Sequence, residues 1–128
     1  MNEGKDIEVY VEDVGVDRLI EWAGSALGSL VQVDQMGDIR VFHTDGRPQR
    51  VALTITPGIE GGPFTSLHFI GGSLPWSADA ACARQIAREL GAVVRSTPEV
   101  PTDGSETWLE LTPTGERSVP WEEAPKRE

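Results

Sequence analysis

Two changes of hydrophobic period constrain most of what this chain can fold into. Residues 6–14 alternate, with Ile7, Val9 and Val11 on one side and Glu8, Tyr10 and Glu12 on the other. A period of two built on β-branched residues is the pattern of a half-buried strand. Immediately afterwards the spacing becomes helical. Val16, Leu19, Ile20, Ala23, Leu27 and Leu30 share one face of a helix of roughly 14 residues. Asp17 and Glu21 lie near its start, where carboxylates suit the positive end of the helix dipole. Gly24 and Gly28 each weaken it by about 1 kcal/mol relative to alanine, so it depends on packing against a sheet.

The second change comes late in the chain. Strand-like runs at 29–35, 39–43, 49–56 and 66–70 are separated by turn residues, among them Asp45-Gly46, a pair that tolerates the positive φ of a hairpin turn. Residues 57–63 read as a flexible loop. Ser77 is a candidate N-cap for a second helix running to about Leu90, with Ala80, Ala83, Ile86, Ala87 and Leu90 on its packing face and Gly91 as its stop. Residues 92–95 and 107–111 are the final strands, divided by an acidic, proline-containing loop at 96–106. The expected order is β-α-β-β-β-β-α-β-β. That order suits a two-layer α+β domain in which two helices pack on a mostly antiparallel sheet of five to seven strands. Residues 1–121 are expected to form one domain, since one domain takes ~100–200 residues and the chain has 128. From Pro113 onward the chain reads as a surface arm anchored by Trp121, with residues 122–128 frayed.

Charge restricts the partners. The formal net charge is −10, and between Met1 and Glu21 seven acids (Glu3, Asp6, Glu8, Glu12, Asp13, Asp17 and Glu21) stand against Lys5 and Arg18, a net of −5. Nucleic acids and anionic lipids are bound by Lys and Arg neutralising phosphates, so neither is an expected partner. A basic protein would be drawn in by the same field. The acids of this segment are expected to form one face. Cys82 is the single cysteine, so no internal disulfide forms, and no Cys/His spacing suggests zinc. No apolar run approaches the ~20 residues that span a bilayer, and the start MNEGKDIE lacks the features of a signal peptide. A cytoplasmic location and no membrane association are expected.

Motifs for chemistry are missing. Gly61-Gly62 and Gly71-Gly72 match neither phosphate-loop pattern and have no neighbouring lysine, so they read as turn punctuation. His43 and His68 both fall on strands, and nothing in the spacing brings a serine or Cys82 to either. Asp34, Asp38 and Asp45 do not follow the spacing of a calcium loop. No catalytic residue, metal ligand or cofactor is therefore expected. Arg84 and Arg88 share a helix face and read as solvated.

Four tryptophans accompany three Phe and one Tyr. Trp76 and Trp121 each follow a proline, in Ser73-Leu74-Pro75-Trp76 and Ser118-Val119-Pro120-Trp121, and Trp22 lies on the edge of the first helix. Such residues either close the edge of a core or anchor a partner.

The segment Leu74-Pro75-Trp76-Ser77-Ala78-Asp79, followed by the run from Ala83 to Arg95, resembles a stretch of small uncharacterised bacterial proteins of the immunity-protein type, which neutralise secreted toxins. It covers about a fifth of the chain and carries over no functional residue. The resemblance implies a protein-binding role. With the charge and the lack of chemistry, it leads to an expectation of an acidic, non-enzymatic, protein-binding domain for a basic partner. Glu8, Glu12, Asp17 and Glu21 would steer that partner, and Trp22 and Trp76 would anchor it. The alternatives are an accessory domain holding a small ligand between sheet and helices, and an enzyme using His43 or His68 with a carboxylate. Homo-oligomerisation through the Trp-bearing loops is compatible with each.

Overall fold

The computed structural model describes residues 5–45, 50–72, 74–97 and 107–120. Residues 46–48 of the expected turn at 44–48, Gln49 of the strand expected after it, most of the loop at 96–106 and the Trp121 anchor lie outside these. The strands are β1 (Lys5–Glu12), β2 (Leu30–Met36), β3 (Ile39–Thr44), β4 (Val51–Thr56), β5 (Phe64–Gly71), β6 (Val94–Ser96), β7 (Thr107–Thr112) and β8 (Gly115–Pro120). The helices are α1 (Val16–Leu27) and α2 (Asp79–Leu90).

The fold is α+β, with two helices and one open sheet of eight strands in the order β2-β3-β4-β5-β1-β6-β7-β8. Every adjacent pair is antiparallel. Two expectations need correcting here. The sheet has eight strands among the described residues rather than five to seven, and the element order ends in three strands instead of two. The added strand is β8, whose Gly-Glu-Arg-Ser-Val-Pro run buries only Val119 and so shows no alternation of its own. It exists because Thr112 Oγ1 accepts the Thr114 and Gly115 N–H groups and turns the chain back along β7. Pro120 is compatible with this position because an edge strand leaves half of its N–H groups unpaired.

Each helix makes a crossover. The α1 helix carries the chain from the middle of the sheet to its far edge at β2, and the meander β2 to β5 returns to pair with β1. The α2 helix then steps over β1 to β6, and β6 to β8 run out to the other edge.

One core cluster lies between this sheet and the helices. It joins Ile7, Val9 and Val11 of β1, Leu53 and Phe69 of the meander, and Val94 and Leu111 beyond β1 to Leu19, Trp22, Ala23 and Leu27 of α1 and Ala83, Ile86 and Ala87 of α2. The register supports a single inner face: Ile7 pairs with Phe69, Phe69 with Leu53, Leu53 with Phe42, Val11 with Val94, and Val94 with Leu111. Helix ends follow backbone more than side-chain caps. Neither Gly15 before α1 nor Ala78 before α2 caps with a side chain, so Ser77 does not take the capping role its position suggests. Gly28, at φ 99°, ends α1 after 12 residues, about two short of the expected length, and Leu30 begins β2 instead of lying on the helix face. Gly91, at φ 64°, ends α2 in the left-handed conformation that glycine adopts without strain. Cys82 is buried on α2, and burial pushes its thiol well above the ordinary range, with Asp79 adding to the effect. The 57–63 segment contains a 3-10 turn at Ile59–Gly61.

Candidate functional site

With both helices on one side, the other face of the sheet carries no helix among the described residues. Strand alternation places Glu8, Tyr10 and Glu12 of β1 there, and the register adds their neighbours. Glu8 pairs with His68, Tyr10 with Ser66 and Arg95, Arg95 with Glu110, and Glu110 with Arg117. A polar network therefore crosses β5, β1, β6, β7 and β8.

Its centre is ionic and mostly buried. The Arg95 side chain is 3% exposed and donates through Nη2 and Nε to Glu110 Oε2 at 3.1 and 3.3 Å. Arg117 donates through Nε to the other carboxylate oxygen at 2.9 Å, while remaining 68% exposed itself. The Arg95 guanidinium also lies 5.2 Å from the centroid of the Phe64 ring, a cation–π distance. Glu110 thus joins a buried cation to an exposed one. Such a pair is held by geometry, because desolvation offsets much of its attraction.

Beside it lies an aromatic and carboxylate group. Tyr10 meets Trp108 edge to face, with centroids 5.5 Å apart. Its phenol is pushed up to about 12, first by burial and then by the charge and hydrogen bond of Glu8. Ser66 Oγ donates to Glu8 Oε2 at 3.1 Å. The Glu12 carboxyl is raised above its ordinary range, chiefly by desolvation and then by Asp13 and Glu110, with Arg95 opposing. His68 Nε2 lies 3.2 Å from Asp6 Oδ2. The Ser66 hydroxyl is engaged by Glu8 and not by an imidazole, and His43 Nδ1 lies against the Thr44 carbonyl at 3.2 Å. Cys82 belongs to the core across the sheet.

The residues expected to bind a partner do not share one surface. Glu8 and Glu12 lie on the helix-free face. Asp17 and Glu21 are exposed on α1, in the opposite layer, where Asp17 faces Arg40 at 3.7 Å. Acids adjacent in sequence are thus divided between two faces. Trp22 and Trp76 are 5% and 4% exposed. Their rings stack at 5.8 Å and 15°, Trp76 also meets Phe69 at 5.0 Å, and their Nε1 atoms donate to Glu89 and Gln85. They occupy the space between helices and sheet as core residues.

Sequence reasoning missed Tyr10, Phe64, Ser66, Arg95, Trp108, Glu110 and Arg117. A charged residue in an alternating strand reads as solvent-facing, and nothing local signals that Arg95 and Glu110 close on each other across a loop. Asp79 is a related case. Its carboxylate accepts the Glu8 N–H at 3.2 Å and the Thr97 hydroxyl at 2.8 Å, bracing α2 against the end of the β1–β6 ladder.

Among the described residues no group of three or more His, Cys, Asp or Glu is placed to hold a metal ion, and no helix is long and apolar enough to cross a membrane. Comparison with protein-family models, with curated proteins and with solved structures finds no match.

Proposed function

We propose that the chain is an acidic protein-binding domain, of the immunity or inhibitor type, that takes a basic protein partner. One observation carries this reading: Asp6, Glu8 and Glu12 line the fifth of eight strands on the face that no described helix covers. At about 3.3 Å per residue this row is roughly 20 Å long, enough to run across much of a protein contact. The carboxyl of Glu12 is already destabilised as an anion by desolvation and by Asp13 and Glu110, so an incoming Lys or Arg would relieve a cost present in the free protein.

In this reading Glu8 and Glu12, with Asp6, touch the partner. Asp17 and Glu21 add to the long-range field from the other layer, and Trp22 and Trp76 hold the helices in place instead of anchoring the partner. The net charge of −10 and the resemblance of residues 74–95 to immunity-type proteins point the same way.

The test is affinity capture on the full chain at low salt, followed by association kinetics with the captured protein. The double reversal Glu8→Lys, Glu12→Lys is expected to slow association by about 10-fold or more and to flatten its salt dependence. Asp17→Lys, Glu21→Lys should have a smaller effect. Capture of no basic protein, or association unchanged by the β1 reversal, overturns the reading.

A further inference from the structure

The edge strand β2 is built unlike the rest of the surface. Six of its seven residues are exposed. Val31, Val33 and Met36, at 41, 48 and 57% exposure, lie on it, and the remaining exposed large hydrophobic among the described residues is Ile70 on β5. Among the described residues its outer row of backbone N–H and C=O groups has no strand beside it, and the Gln35 N–H is met only by its neighbour Asp34, which accepts it through Oδ1 at 2.8 Å. An exposed, apolar edge of this length is a template for another strand.

Local charge decides what kind of strand. From Trp22 to Thr44 the charged residues are Asp34, Asp38 and Arg40, a net of −1 in a chain of net −10. A basic partner steered by carboxylates gains little here, whereas a second copy of this acidic chain meets little repulsion. The opposite edge of the sheet is protected in the usual ways. On β8, Glu116 is tied to Arg84 and Arg117 to Glu110, and Pro120 has no N–H to offer. Head-to-tail addition of β2 to β8 is therefore disfavoured. Pairing of β2 with its own symmetry mate uses each open edge once and closes at two chains.

We infer that β2 pairs antiparallel with β2 of a second copy, joining two eight-stranded sheets about a two-fold axis near Val33. The inference is independent of the basic-partner reading, which uses the carboxylates of β1. The register shift between Gln32 and Asp34 leaves Val33 without a partner on β3 and kinks the edge. The ladder between copies is accordingly two short runs on either side of the bulge, and the dimer forms reversibly with concentration.

Sedimentation velocity of the full chain over a range of concentrations tests this. The weight-average mass should rise from one chain to two. Val33→Lys and Val33→Glu, each placing like charges near the axis, should each remain at one chain, with thermal midpoints near wild type because Val33 is exposed. An equimolar mixture of the two variants should recover the dimer. Ile70→Lys, equally exposed but three strands inward, should leave dimerisation unchanged. A wild-type chain that stays single into the millimolar range, a Val33→Lys dimer, a mixture that fails to recover, or loss of the dimer in Ile70→Lys each overturns the inference.

Discussion

Replacing Arg95 by methionine keeps the apolar stem and removes the guanidinium from a site where it is 3% exposed and its carboxylate partner Glu110 is 10% exposed. Removing one member of a buried pair typically costs about 3–5 kcal/mol, because the other charge stays desolvated. Here Arg117 still holds Glu110 Oε1 at 2.9 Å, and its own exposure lets water share the charge. The loss should therefore fall at the low end, at about 3 kcal/mol, including the Phe64 contact. Urea unfolding followed by tryptophan fluorescence reads this directly. With a slope of ~1–3 kcal/mol per M, the midpoint should fall by about 1–3 M without a change of slope. Glu110→Met should cost at least as much, since it leaves Arg95 inside without that carboxylate. The double variant Arg95→Met, Glu110→Met should cost under about 1 kcal/mol, as apolar replacement of a whole buried pair is often neutral. Single losses below about 1 kcal/mol, or a double variant whose loss equals the sum of the two, would refute the claim that this pair is a coupled, desolvated unit.

Trp76→Ala should lower stability by about 3–5 kcal/mol, seen in the calorimetric midpoint, since it vacates the stack between Trp22 and Phe69. Tyr10 is the chain's single tyrosine, so its phenolate absorbance titrates it alone. The native midpoint should lie at about 12 and return towards 10 in denaturant. Because the folded value is the raised one, stability is lost as pH climbs from 10 to 12; coincident native and denatured titrations would rule this out. For Glu12 the folded carboxyl is also raised, from an ordinary 4.5, so the native state binds the extra proton and stability falls as pH rises through that window. Glu12→Gln should raise the thermal midpoint at pH 7, and the gain should vanish below about pH 4, where the carboxyl is protonated in both states. A gain independent of pH would point to another cause.

Element types were legible wherever one period ran uninterrupted. The alternation of Ile7, Val9 and Val11 and the helical spacing of Leu19, Ala23 and Leu27 each report which side of their own element faces apolar surroundings, and both elements are where that pattern puts them. β8 was not legible, because an edge strand of polar residues buries too little to impose a pattern, and its existence rests on the Thr112 turn and the ladder to β7. Trp76 was legible as a residue that closes a core or meets a partner, and its burial against Trp22 became visible only in the tertiary structure.

By itself, then, the sequence determined an acidic α+β chain with two helices and most of its strands in place, because period and turn chemistry act over a few residues. The tertiary structure decided which of those surfaces coincide. It divided Glu8 and Glu12 from Asp17 and Glu21, closed Arg95 onto Glu110, and left β2 at an open edge. The physical reason is that a side chain's direction from its own strand or helix is a local property. The face of the sheet it shares, and the residue opposite, depend on strand order and register, which long-range pairing selects through the burial of the core as a whole.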